Sequence, residues 1–444
     1  MSVNDLHGPT RNVSDRRRFL RQLAQGSLGL AVAPVVVREV AARELAPTAP
    51  LTAPLRPEAL ADEAYWTQVR AAFPLRDGIA PMNAANLCPA PRVVNDAVEQ
   101  AMRDVEGDVS SQNRSKYGAL LDDLRARLGT YLGADPTEMA VVRNTTEANN
   151  VIVGGIPLGA GDEVLLWNQN HQTNNVAWDV RAARYGFTVR RVTVPPAPTA
   201  PEEILDAFVR ELTPRTRVLS FSDVSNMSGI RPPAAELCRI GRERGIHVHV
   251  DGAQSFGLFD LDLHALGCDS YSSSAHKWFM GPKEGGILYV RAERVPEIWP
   301  GIVGVGWGGG GTPPDGAEKF ETLGQRNDAT IAGMSACLDF HEMIGKAPIQ
   351  ARVFELAARL KDRLAQIPGA EAVTPRSPEM SGGVVIFRFE GVANGQLSSA
   401  LYAEHRVAGA STGGMRLCPH IYNTFADVDR AAAGMAELVP RLRT

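Results

Sequence analysis

The sequence predicts an α/β protein with a largely parallel sheet in its main domain and a smaller α+β domain at its C-terminal end. Two observations carry that prediction. Short apolar strands recur over 139–142, 163–167, 218–221 and 246–250, and the stretches between them are long enough for helical crossovers. Each strand also runs straight into a turn of Asn, Thr, His, Ser or Asp. Open α/β sheets bind ligands beyond the carboxyl ends of their strands, so these turns are expected to meet at one edge.

The chain has 444 residues, 44% of them hydrophobic, and a formal net charge of -4. That permits a large core and more than one domain. There is no basic excess to suggest nucleic acid, and no apolar run of the roughly 18 residues that a membrane span needs. The five cysteines, at 88, 238, 268, 337 and 418, are scattered and contain no Cys-x-x-Cys pair. Neither a metal site nor a disulfide framework is indicated. Near the start, Asp15-Arg16-Arg17-Arg18-Phe19-Leu20-Arg21 and the weakly apolar stretch after it match a twin-arginine export signal. The expected organisation is a signal region over 1–45, then a Pro-rich linker and N-terminal arm over 46–80. A large domain over 81–315 and a small C-terminal domain over 316–444 follow.

Taken in order, 57–73 has helical spacing, and Pro81 to Pro89 is a strand fragment opening into a loop of small residues. Helices are expected over 91–105 and 117–133, where Leu120, Leu121, Leu124 and Leu128 share a face. The polar run 110–118 between them is read as a loop that could line a mouth, with Tyr117 in it. After strand 139–142 comes Asn144-Thr145-Thr146-Glu147-Ala148-Asn149. Strand, hydroxyl turn and helix start form an anion-binding geometry, because the first helical N–H groups are unpaired. Strand 163–167 ends at Asn170-His171-Gln172-Thr173-Asn174, and strand 218–221 leads to Ser225-Asn226. Strand 246–250 places Ile246, Val248 and Val250 on one face and His247 and His249 on the other, and it ends on Asp251, followed by Gly252-Ala253-Gln254. Then comes Ser272-Ser273-Ser274-Ala275-His276-Lys277. A lysine desolvated at a strand end has a lowered pKa and can act as a nucleophile toward a carbonyl. The Gly- and Pro-rich run 296–319 is too long for a simple connector. Helices over 329–344, 352–367 and 397–405 and a strand over 383–389 lead to Arg416 and Tyr422-Asn423-Thr424.

Asp251 followed by Ser274-x-His276-Lys277 resembles the site of fold-type-I pyridoxal 5'-phosphate (PLP) enzymes. The branch it resembles is the class V aminotransferases, including isopenicillin N epimerase-like proteins and cysteine desulfurases. The resemblance covers roughly 75–440 and implies a seven-stranded, mostly parallel sheet in the large domain and a homodimer. It implies that Lys277 forms a Schiff base with PLP and that Thr145, Thr146, Ser274 and His276 contact the cofactor. His171 would stack on the ring, Asp251 would pair with the pyridine nitrogen, and Asn226 and Gln254 would reach the ring oxygen. Arg416 would clamp the carboxylate of an amino-acid-type substrate, near Asn86. Two departures stand out: Asn170 replaces an acid, and Gly324-Gln325-Arg326 replaces Gly-Thr. The loop before Arg416 has no cysteine, which disfavours a desulfurase, since that chemistry needs a mobile thiolate. Epimerisation, aminotransfer and C–S lysis all remain compatible, as does an exported binding protein that has lost catalysis.

Overall fold

The computed structural model describes residues 62–304 and 314–444. The expected signal region, most of the linker, and 305–313 of the Gly-rich run lie outside the described residues. Strands β1 (Met139–Val142), β2 (Glu163–Trp167), β3 (Thr188–Val192), β4 (Thr216–Ser222), β5 (His247–Asp251), β6 (Ser270–Ser274) and β7 (Gly286–Val290) form one seven-stranded sheet of order β1-β7-β6-β5-β4-β2-β3. Only β7 runs antiparallel to its neighbours, β1 and β6. Helix α1 (Glu63–Ala71) packs with C-terminal residues such as Ile349, Val353 and Tyr422, and the helices that accompany the sheet are α2 (Arg92–Gly107), α3 (Ser111–Leu132), α4 (Thr145–Gly155), α5 (Gln172–Tyr185), α6 (Pro201–Glu211) and α7 (Ala234–Glu243).

The sheet is covered on both faces, so its strands other than the edge strand β3 are almost wholly buried, and the side-chain alternation sorts residues between two cores. Leu165 and Trp167 of β2 pack with Leu124, Leu128 and Val250. Val164 and Leu166 point the other way, onto Ile152 of α4 and Trp178 of α5. The five residues of β6, Ser-Tyr-Ser-Ser-Ser, are all buried as well. Burying hydroxyls without partners is costly, and here they are bonded: Ser273 donates to the Gly252 carbonyl at 3.0 Å, and Ser272 donates to Asn149 Oδ1.

Caps set the helix starts that matter for the site. Asn144 ends the strand-to-helix turn and its side chain accepts from Glu147 N at 3.0 Å, an arrangement worth about 1 kcal/mol. Ser110 does the same for α3, accepting from Asn113 N. That cap corrects the sequence reading: the helix begins at Ser111, so 110–118 is not a loop at a mouth. Tyr117 is buried, and its hydroxyl donates to Asp104 Oδ2 at 2.9 Å.

The C-terminal part contains α8 (Asp328–Ile344), α9 (Lys346–Leu364), α10 (Asn394–His405) and α11 (Phe425–Leu442). A three-stranded antiparallel sheet of order β10-β9-β8 joins β8 (Ala370–Ala372), β9 (Val385–Phe389) and β10 (Met415–Leu417). Leu356 and Leu360 of α9, Leu397 and Leu401 of α10, and Val428 and Met435 of α11 share a core with Val385 and Phe387 of the small sheet. Residues of α8 pack instead into the core of the large sheet, where Ile331, Met334 and Leu338 join Leu124 and Leu128. The N-terminal loop crosses to the small sheet: Ala80–Pro81 pairs in parallel with Val407–Ala408, and Asn83 bridges to Cys418. That crossing brings the small-residue loop beside Arg416. Among the described residues, no helix is long and apolar enough to cross a membrane.

Candidate active site

At the carboxyl edge of the large sheet lies a cavity of about 350 Å³. Ala85, Asn86, Thr145, Thr146, His171 and Asn226 line it together with Asp251, Ser274, His276, Lys277, Thr412 and Arg416. These residues come from the ends of β1, β2, β4, β5 and β6 and the turns after them, from the N-terminal loop, and from β10 and the loop before it. Ten of the eleven residues singled out from the sequence therefore meet in one place.

The eleventh does not. Gln254 is buried, and its amide bonds at both ends: Nε2 donates to the Ala85 carbonyl at 3.0 Å, and Oε1 accepts from Trp278 Nε1 at 2.7 Å. It lies outside the cavity lining. The hydrogen bonds that the structure shows for Gln254 are therefore structural. Gln254 ties the N-terminal loop to the lysine turn, and Cys88 N strengthens that link by donating to the His276 carbonyl at 2.8 Å.

Lys277 faces Asp251 and Arg416 closely enough for both charges to act on it. Burial dominates and lowers its pKa, Arg416 lowers it further, and Asp251 partly offsets this. The result is an amine more easily deprotonated than a surface lysine. His171 accepts at Nδ1 from Thr173 N at 3.3 Å and lies 2.8 Å from the Thr173 hydroxyl. The backbone donor identifies Nδ1 as the unprotonated nitrogen, so the neutral ring carries its proton on Nε2. Burial first, then the Lys277 charge, lowers the His171 pKa below its usual value. His276 is pushed down to about 4, by burial and then by Lys277 and Lys283.

Ser274 joins the strand end to the helix turn. It accepts from Thr145 N at 2.8 Å, and its hydroxyl lies 2.6 Å from that of Thr145. Close approach of backbones is needed here. A Cβ on Gly286 would sit 2.6 Å from the Ser273 carbonyl oxygen and 2.9 Å from Asn144 Cα. Asp251 is buried; its Oδ1 accepts from Ala253 N at 3.1 Å and its Oδ2 from Asn149 Nδ2 at 3.0 Å. Gly252 beside it could not be any other residue, because a Cβ would lie 1.8 Å from a Tyr271 ring carbon.

Arg416 is 4% exposed. One terminal nitrogen donates to the Asn226 carbonyl at 3.0 Å and the other to Asn83 Oδ1 at 3.1 Å. Its Nε is buried with no partner. A guanidinium pinned at two corners with an orphaned donor beside a cavity is suited to a carboxylate ligand.

The donor set fits the cofactor that the resemblance implies. A hydroxyl-rich helix N-terminus suits a phosphate, a buried carboxylate suits a pyridinium, and a desolvated lysine suits an aldehyde. Sequence reading missed Asn149, Thr173 and Thr412. Asn149 was within reach of it, since it lies four residues after Thr145 on the same helix face. All five cysteines are buried, and none lines the cavity.

The sequence matches the Aminotransferase class-V family over residues 83–431. It is 33% identical over 392 residues to the isopenicillin N epimerase of Amycolatopsis lactamdurans, covering 84% of this chain and 98% of that one. To a cysteine desulfurase of Klebsiella pneumoniae it is 29% identical over 353 residues, covering 72% and 82%. Its fold superposes on a solved mutant of C-DES, which has glycine covalently linked to its PLP cofactor. That match has a TM-score of 0.77 and 24% identity, covering 83% of this chain and 99% of the other.

Proposed function

The chain belongs to the class V aminotransferase family and is an enzyme, and from that premise we propose that it is a PLP-dependent epimerase acting at the α carbon of an amino acid or amino-acid derivative. The observation that carries this reading is the chemistry of the cavity lining. It holds a lysine and histidines that can each move a proton, an arginine with a free buried donor, and no sulfur. Epimerisation removes a proton from one face and returns one to the other, so it needs two such groups; aminotransfer can run on the lysine alone. A desulfurase needs an accessible thiolate, and burial drives the thiols the other way, Cys88 up to about 12.

When bound, PLP supplies an electron sink for the charge left at the α carbon. Thr145, Thr146, Ser274 and His276 would hold its phosphate and Asp251 its ring nitrogen. The chain's own residues do the rest. Arg416 fixes the substrate carboxylate with charge-assisted hydrogen bonds. Lys277, its pKa lowered, takes the α proton as general base. His171 would return a proton as the imidazolium, with Thr173 Oγ 2.8 Å from its Nδ1; a lowered pKa makes that imidazolium a stronger acid than an ordinary histidine.

We read residues 1–45 as a twin-arginine signal that sends the protein to the periplasm or outside the cell, and the active form as a homodimer. Cell fractionation and sedimentation test those two readings. The catalytic reading is tested in deuterium oxide with PLP-loaded protein, a panel of amino acids and no keto acid. Deuterium at the α carbon together with inversion on a chiral column is expected. Stoichiometric pyridoxamine phosphate with a keto acid would make the protein an aminotransferase, and a released side-chain fragment would make it a lyase; either result overturns the proposal. A colourless protein that borohydride cannot label at Lys277 would leave a non-catalytic binding protein.

A further inference from the structure

Beneath the cavity a chain of buried side chains runs from Asp251 into the sheet. Asn149 Nδ2 donates to Asp251 Oδ2 at 3.0 Å. His249 Nε2 lies 2.9 Å from Asn149 Oδ1, and His249 Nδ1 lies 2.8 Å from Ser270 Oγ. Ser270 Oγ is in turn 2.9 Å from His247 Nε2. Asn149 is 1% exposed, His249 and Ser270 are wholly buried, and His247 is 7% exposed.

The donor directions follow from one fixed end. A carboxylate only accepts, so the Asn149 amide must turn its NH₂ toward Asp251 and its oxygen toward His249. His249 therefore donates from Nε2. Burial keeps its ring neutral, with a pKa near 3, so Nδ1 accepts the Ser270 hydroxyl proton. That oxygen then accepts from Nε2 of His247, which is neutral for the same reason, its pKa near 4. Ser272 adds a second donor to Asn149 Oδ1. Four successive hydrogen bonds thus point one way, toward Asp251, and aligned bonds in a low-dielectric interior polarise one another.

We propose that Asn149, His249 and Ser270 are positioning residues that keep Asp251 a pure acceptor, so that the proton shared with a bound pyridine resides on the ring nitrogen. This rests on the PLP reading above. Without the donors, a buried ion pair would relax toward the neutral arrangement, with the proton on Asp251.

Nitrogen NMR tests this on two preparations. In cofactor-free protein with labelled histidine, His249 is expected as the neutral Nε2-protonated tautomer at pH 7; an Nδ1-protonated ring overturns the relay. In holoenzyme carrying ring-nitrogen-labelled PLP, the wild-type signal is expected at the protonated position. Asn149→Ala should move it furthest toward unprotonated pyridine, and His249→Leu less far because Ser272 still donates. Ser270→Ala should move it least, while Ser270→Thr, which keeps the hydroxyl, leaves it in place. The dissociation constant for PLP should rise roughly tenfold in Asn149→Ala, the size expected for one hydrogen bond to a charged group. Ser270→Ala, a one-atom deletion, serves if the larger changes prevent folding. Folded, PLP-loaded variants whose ring signal stays at the wild-type position overturn the proposal. A wild-type protein that takes up no PLP instead sinks the functional reading, and the tautomer experiment still decides the relay.

Discussion

Replacing Arg416 is the sharpest probe of how substrate is held. The side chain is nearly inaccessible, two of its nitrogens are held by Asn226 and Asn83, and its Nε is left to a ligand. Hydrogen bonds to a charged group contribute about 1.5–3 kcal/mol each, so a carboxylate held by two loses roughly 3–6 kcal/mol in Arg416→Ala. That corresponds to a fall in kcat/KM of roughly two to four orders of magnitude. Arg416→Lys keeps the charge but not the fork, and is expected to lose roughly ten- to hundredfold. The assay is exchange of the α proton measured for an amino acid and for the matching amine that lacks the carboxylate. The amine should react poorly with wild type and be nearly insensitive to the substitution. Because Arg416→Ala also strands the Asn226 carbonyl and the Asn83 side chain, thermal unfolding is recorded alongside. Equal losses for the amino acid and the amine would refute the clamp.

Four buried histidines make a pH prediction. Burial lowers His247 and His341 to about 4 and His249 and His420 to about 3. Their folded values lie below the unfolded value of about 6.5, so the unfolded state binds more protons from about pH 6.5 down to about 4 for His247 and His341 and about 3 for His249 and His420. Stability is complete above that window and falls as pH drops through it, by up to about 1.4 kcal/mol per pH unit for each such histidine. Urea midpoints at pH 7.5 and 5 check this, and an unchanged midpoint would count against it. Native protein treated with iodoacetamide should show no alkylated cysteine by mass spectrometry, since all five thiols are buried. Gly252→Ala, which drives a Cβ to within 1.8 Å of the Tyr271 ring, should cost about 3 kcal/mol or more through overpacking and weaken PLP retention; calorimetry and gel filtration with PLP detection report both.

Much of the site was legible because its signals are local. A strand end, a hydroxyl turn and a helix start are consecutive residues, and side-chain alternation tells which strand residues share a face. Asn144 to Thr146, His171, Asp251 and Ser274 to Lys277 could all be placed that way, as could the alternation of His247 and His249 against Ile246, Val248 and Val250. Where local signals were weak the reading slipped. Ser110 to Gly118 looks like a polar loop, yet its polar residues cap and solvate the first turns of a helix.

What the sequence alone determined is the chemistry available and its order along the chain: the lysine, the carboxylate, the clamp, and the lack of a cysteine before Arg416. The tertiary structure decided which of those groups face one another. Gln254 stands three residues from Asp251, yet it bonds to Ala85 of the N-terminal loop and to Trp278 and lies outside the cavity lining. Asn149 and His249 are 100 residues apart and meet only because α4 packs beneath β5. Arg416 reaches the site because Asn83 bridges to Cys418 across more than three hundred residues. Pairings of that kind depend on sheet order and on which helix covers which face. Those are set by the burial of the whole core and leave no periodicity in either segment alone.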